Sequence, residues 1–127
     1  MAKIEIAPDC GNAPRKVFLA KFYTALANGD AAFLNEHIPQ DIVLNIVGRE
    51  TVTGSVDVAS ELMEAPHWKP RRVTIDTIIT HGREAAVSGE ITTPDKTTYL
   101  FCDICKFKGA SGTSIKEIVR FLVPKQV

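Results

Sequence analysis

Residues 99–123 read YLFCDICKFKGASGTSIKEIVRFLV: two apolar runs joined by a short loop of small and polar residues. Both runs have strand length and are rich in β-branched and aromatic side chains, so they predict a hairpin. Successive strand side chains point to opposite sides. Tyr99, Phe101, Asp103, Cys105 and Phe107 therefore share one face, and Leu100, Cys102 and Ile104 the other. Setting Lys108 opposite Ile115 brings Asp103 opposite Arg120, with Ile118 and Leu122 on the same side. Val119, Phe121 and Val123 then join the second face. Both faces are apolar, so the hairpin needs cover on both sides. Helices supply one cover, and self-association is the simplest source of the other.

Asp103 is the anomaly on the first face. An unpaired buried carboxylate costs several kcal/mol or is driven to take a proton. Three explanations stand open at this point. Asp103 pairs with Arg120 across the strands; or it is held neutral in an apolar hollow, ready to donate a hydrogen bond; or it is an ionised base or binding group at a pocket mouth.

Upstream, Pro14 opens a helix over RKVFLAKFYTALANGD, with Phe18, Phe22, Ala25 and Leu26 as its apolar stripe and Leu19 and Tyr23 beside it. Asn28-Gly29 ends it. Asp30 caps a second short helix, AAFLNEHI, which Pro39 terminates. DIVLNIV, residues 41–47, predicts a strand, and Gly48 to Gly54 a turn region. SVDVASELMEA predicts a third helix with Ser55 as its cap and Val58, Leu62 and Met63 inward. After Pro66-His67-Trp68-Lys69-Pro70 come VTIDTIIT, a His81-Gly82 turn, AAVSGEITT, a tight Pro94-Asp95-Lys96 turn and the closing hairpin. In VTIDTIIT the alternation of Val73, Ile75, Thr77 and Ile79 is broken by Ile78. Helices grouped ahead of a mainly antiparallel sheet give an α+β class.

The 127 residues fit one domain, 1–127, long enough to bury its own core. Fifteen basic residues balance fifteen acidic ones, which points away from nucleic acid and membrane surfaces. The densest basic cluster, Lys69, Arg71 and Arg72, is either a polyanion contact or a solvated strand start. No run approaches a membrane span, and the start MAKIEIAPDC lacks the apolar core of a signal peptide. Three cysteines argue against a disulfide framework and for a reducing, cytoplasmic setting. Cys102 and Cys105 mimic a C-x-x-C motif, but on a strand their thiols diverge. His37, His67 and His81 have no metal-ligand spacing. GRETVTG lacks the lysine of a phosphate loop, and no nucleophile elbow is present. No metal and no cofactor are expected.

FYTALANGDAAFLNEHIPQDIVLNIVG, a glycine before the third helix, YLFCDICKF and SIKEIVRFLV together resemble the nuclear-transport-factor-2-like superfamily in its SnoaL-like and ketosteroid-isomerase-like branch, over residues 13–123. The resemblance implies a curved sheet wrapped on three helices, forming a cone with an interior pocket, and homodimerisation through the outer sheet face. This fold hosts isomerases, cyclases, dehydratases, hydrolases and non-catalytic binders. Its isomerases use a strand aspartate as base, and a tyrosine with a protonated aspartate as oxyanion hole.

Asp103 resembles the second aspartate. The base position falls on Asn45 and the tyrosine position on Phe22, with Tyr23 one step round the helix. Asparagine accepts no proton and phenylalanine donates no hydrogen bond, so ketosteroid isomerisation is not expected. Asp103 more closely resembles the acid–base aspartate of SnoaL-like cyclases. The resemblance thus implies a pocket for a small hydrophobic or carbonyl-bearing molecule, with Asp103 and Asn45 as catalytic groups. Phe22, Tyr23, His67, Trp68, Phe101, Cys105, Ile118 and Arg120 would line it. His67 and Trp68 would rim the mouth, or else be an exposed loop histidine and a core-edge tryptophan. The competing expectation is a non-catalytic module that dimerises or recognises a protein.

Overall fold

A computed structural model describes residues 3–6, 13–64, 72–109 and 112–125. Among these, the order is β1 (Lys3–Ile6), α1 (Pro14–Asn28), α2 (Ala31–His37), β2 (Val43–Ile46), β3 (Glu50–Thr53), α3 (Ser55–Glu64), β4 (Arg72–His81), β5 (Glu84–Thr92), β6 (Thr98–Phe107) and β7 (Ile115–Pro124). One mixed sheet runs in the order β1-β4-β5-β6-β7-β2-β3. It is curved but unclosed, and the helices fill its concave side, as the α+β cone requires.

Local chemistry sets the helix ends. Gly29 takes the left-handed conformation that closes α1, with φ 66°. The Asp30 carboxylate accepts a hydrogen bond from the Phe33 amide at 3.1 Å and caps α2. In α3 the carbonyl of Gly54, one residue ahead of the expected cap Ser55, accepts from Val58 N–H. Inward residues of α1 (Phe18, Leu19, Phe22), α2 (Leu34) and α3 (Val58, Leu62) pack on Ile75, Val87, Phe101, Ile115 and Ile118 of the sheet.

Four features depart from the sequence reading. Gly48–Gly54 is not all turn: Val47-Gly48-Arg49 is a three-residue turn, and Glu50–Thr53 returns as a strand paired with β2. The β-branched Thr-Val-Thr run explains that strand. Lys3–Ile6, which carried no structural expectation, pairs in parallel with β4, and Glu5 meets Arg72 at 2.7 Å. Lys69 and Arg71, the rest of the basic cluster, lie outside the described residues.

The broken alternation in β4 is a bulge between Ile75 and Thr77. The extra residue, Asp76, is exposed; beyond it the phase inverts, so Ile78 is buried and Ile79 faces out. Opposite the bulge lies Gly89, where an added Cβ would stand 1.9 Å from the Thr74 carbonyl oxygen. Two strands bent this tightly together tolerate no side chain there. Finally, Asp103 does oppose Arg120, but a second irregularity at Lys106/Phe107 sets Phe107, not Lys108, against Ile115.

Candidate functional site

The inner row across the sheet reads Val87, Asp103, Arg120, Ile46. Asp103 is fully buried and Arg120 is 2% exposed. Apolar neighbours flank the pair, so each charge is the other's main compensation. The geometry is bidentate: Arg120 Nε donates to Asp103 Oδ1 at 2.9 Å and Nη2 to Oδ2 at 2.6 Å. From α1, the Tyr23 hydroxyl donates to Oδ2 at 2.6 Å. An oxygen pair accepting three donors, two of them from a guanidinium, is a carboxylate. This opposes the neutral, proton-donating Asp103, and full burial outside the described lining of the hollow opposes a group at a pocket mouth, which leaves the ion pair.

Burial opposes the charge on Arg120, but the Asp103 carboxylate outweighs it and holds the guanidinium above its usual value. Burial first, and the Asp103 charge second, push Tyr23 well above the ordinary phenol range. The same two causes push the Cys105 thiol up. Tyr23 and Cys105 thus stay protonated at neutral pH, Tyr23 as a donor and Cys105 as a small apolar core group.

Among the described residues, Tyr23 and Arg120 form the polar wall of a hollow also lined by Leu26, Ala27, Leu62, Val73, Ile91 and Phe101. Its free volume is about 20 Å³, room for a water molecule but not for an organic ligand without movement of the walls. Phe101 also stacks on Tyr23, ring centroids 6.0 Å apart.

Of the expected residues, Tyr23, Phe101 and Arg120 line this hollow and Asp103 stands behind them. Cys105, Ile118 and Phe22 are buried in the adjoining core. Tyr23, one position beyond the expected Phe22, is the residue whose hydroxyl reaches the aspartate. Asn45 is a correction. It pairs in register with Val119, on the opposite face from Ile46 and Arg120, so it cannot touch anything in the hollow. His67 and Trp68 lie outside the described residues. Leu26, Ala27, Leu62, Val73 and Ile91 were missed as lining; Leu26 had been read into the apolar stripe of α1 and Leu62 as inward.

Comparison with known proteins agrees with this architecture. The family model for the SnoaL-like domain matches residues 19–115. The chain belongs to the SnoaL-like family. Solved structures place this SnoaL-like chain within the nuclear-transport-factor-2-like fold. An NTF2-like protein of unknown function from Cytophaga hutchinsonii superposes with a TM-score of 0.63 at 20% identity, covering 86% of this chain and 99% of that one. SalBIII, an epoxide hydrolase/cyclase-like enzyme described in pyran ring formation in the polyether salinomycin, gives 0.66 at 16% identity over 85% and 89%. An LEH-like epoxide hydrolase of M. tuberculosis gives 0.61 at 18% over 82% and 78%. At such identities the likeness concerns the fold. No curated protein matches the chain.

Among the described residues of this SnoaL-like chain, no cluster of His, Cys, Asp and Glu is arranged to hold a metal. Among the described residues, no helix is long and apolar enough to cross a membrane.

Proposed function

We propose that the chain acts as one SnoaL-like domain that binds a small, uncharged, largely apolar molecule in the hollow between α1, α3 and the sheet. One observation carries this reading: Tyr23 and Arg120 face an otherwise apolar hollow while Asp103, behind them, holds both. A buried ion pair is commonly no more stabilising than apolar residues of the same volume. A polar set retained at the wall of a hollow is therefore better explained by specificity, of strand register and of recognition, than by net stability. Asp103 neutralises Arg120, and no other charged residue is among the described lining residues. An anionic ligand would enter without compensation and bear its full desolvation cost. A ketone, lactone or epoxide would instead place its oxygen against the guanidinium, beside the Tyr23 hydroxyl that donates to Asp103.

The catalytic form of this reading is cofactor-independent isomerase, cyclase or hydrolase chemistry. Negative charge developing on the ligand oxygen meets the Arg120 guanidinium. Asp103, behind Arg120 and Tyr23, orients both. Two structural relatives bear epoxide hydrolase names, which agrees with such chemistry. The test is a thermal-shift screen against lactones, polycyclic ketones and epoxides, each matched with a carboxylic acid of similar shape. The expected result is stabilisation by neutral members, lost in Tyr23→Phe and Arg120→Met. Stabilisation by the acids alone, or by nothing, overturns the reading.

A second reading, a non-catalytic dimerisation or interaction module, is favoured by the small volume and by the outer sheet face. There Leu100, Phe121 and Val123 are 43–56% exposed, with Ile79 beside them at 57%. A second copy of the chain is the cover proposed for that face. Equilibrium sedimentation of the wild type against Phe121→Glu decides it. A dimer converted to monomer supports the module's interface, and a wild-type monomer removes it.

A further inference from the structure

Arg15 stands in the first turn of α1, where a cation opposes the helix dipole. It contributes nothing to the helix there, yet it is only 8% exposed. Its guanidinium donates from Nε to the Gly112 carbonyl at 2.8 Å, from Nη1 to Gly82 at 2.5 Å and from Nη2 to Gly109 at 2.6 Å. Its Cζ lies 4.4 Å from the centroid of the Phe107 ring. Gly82 is in the β4–β5 turn, and Gly109 and Gly112 are in the β6–β7 loop. One side chain thus ties the start of α1 to the ends of both long hairpins. Carbonyl dipoles and an aromatic face meet its charge.

We infer that Arg15 is a positioning residue: it fixes where α1 lies along β6 and so delivers the Tyr23 hydroxyl to Asp103. The spans support this. From Arg15 to Tyr23 is eight residues (23 − 15), about 12 Å of helix rise. From Phe107 back to Asp103 is four residues (107 − 103), about 13 Å of strand. With α1 antiparallel to β6, a contact at one end and a contact at the other agree to about an ångström. A slide of α1 by a single residue moves Tyr23 by about 1.5 Å, enough to break a 2.6 Å hydrogen bond. A lysine at position 15 keeps the charge but loses the planar fork that reaches three acceptors at once. The inference does not depend on the hollow taking a ligand.

The test uses the full chain carrying Tyr99→Phe, which leaves Tyr23 as its single tyrosine. The charged and titratable groups acting on Tyr23 are Asp103, Cys105 and Arg120, all retained. Tyrosine ionisation is followed by ultraviolet absorbance, with far-UV circular dichroism on the same samples. With Arg15 present, Tyr23 ionises only as the chain unfolds in alkali. In Arg15→Ala it ionises at lower pH than in the parent while the dichroism is still native, because the Asp103 contribution weakens while burial remains, and Arg15→Lys falls between. A control, Leu34→Ala in α2, loses stability from a fully buried site without moving the titration. A folded Arg15→Ala with unmoved Tyr23 overturns the inference, as does an equal shift in the control. Should Arg15→Ala not fold, Arg15→Lys decides alone: a titration like that of the parent overturns the inference.

Discussion

Removing the Asp103 carboxylate tests the centre of the structure. In Asp103→Leu the acceptor of three hydrogen bonds, at 2.9, 2.6 and 2.6 Å, disappears. Arg120 loses the carboxylate that balances its charge while it stays at 2% exposure. Breaking one half of a buried pair costs about 3–5 kcal/mol. The stranded Tyr23 hydroxyl adds about 1 kcal/mol. A chain of this length loses roughly 3–5 °C in Tm per kcal/mol, so the midpoint falls on the order of 15–20 °C. Urea unfolding measures the loss directly. The reasoning also requires a rescue. In Tyr23→Phe/Asp103→Leu/Arg120→Met every polar member is replaced by an apolar group of similar size, and stability returns to within about 1 kcal/mol of the wild type or exceeds it. If Asp103→Leu alone is neutral or stabilising, Asp103 is not what compensates the buried guanidinium, and the argument fails. The triple variant separates folding from recognition as well. Restored stability with ligand stabilisation abolished assigns the polar set to binding, whereas restored stability with ligand response intact removes it from the site.

Three further outcomes are expected. The fold keeps Tyr23 and Cys105 protonated at pH values where the unfolded chain ionises them. The stability they give is complete below pH 9.0, the ordinary thiol value, and is lost as pH rises past it and past 10.0, at about 1.4 kcal/mol per pH unit for each group; denaturant titrations from pH 7 to 11 should show a flatter decline in Tyr23→Phe/Cys105→Ala. Gly89→Ala drives a Cβ to 1.9 Å from the Thr74 carbonyl and should cost more than about 4 kcal/mol, read as lost soluble yield or a collapsed Tm, while a Tm within a few degrees of wild type removes the account of the bend. Val73→Ile adds one methylene to the hollow; it should raise stability by about 0.5–1 kcal/mol and weaken any ligand that enters there, a combination absent if the hollow is only a packing defect.

The two faces of the closing hairpin were legible because strand alternation alone separates them; the Asp103–Arg120 register followed from setting Lys108 opposite Ile115, and the irregularity at Lys106/Phe107 restores it although Phe107 takes that place. The caps at Gly29 and Asp30 were legible because they depend on local backbone chemistry. What escaped depends on irregularity or on distance. Ile78 broke a pattern, and the break was the signature of the bulge at Asp76, which shifts the phase by one. Asn45 was placed by its spacing to Gly48, but a strand of period two makes a one-residue offset a change of face. The same one-residue error set Phe22 where Tyr23 acts, since neighbouring helix positions point about 100° apart. Arg15 gave no local signal: its acceptors lie 67, 94 and 97 residues away and are backbone carbonyls that no sequence pattern marks.

Strand alternation has a consequence for β6 and β7 together. The hairpin that carries Asp103 and Arg120 inward necessarily carries Cys102 and Phe121 outward, paired with each other. Apolar residues fill both faces, so hydrophobic burial discriminates poorly between this register and one slipped by a residue. Slippage would bring Phe121 opposite Asp103 and turn Arg120 to the outer side, leaving a carboxylate buried among Val87, Phe101 and Cys105 with no cation beside it. The cost of that state, several kcal/mol, exceeds what an exchange of one apolar neighbour for another can return. The ion pair therefore selects the register, and the irregularity at Lys106/Phe107 lets the loop end close around Arg15 without disturbing it. The polar set specifies the pairing that builds the wall of the hollow, and that wall is where it meets any ligand.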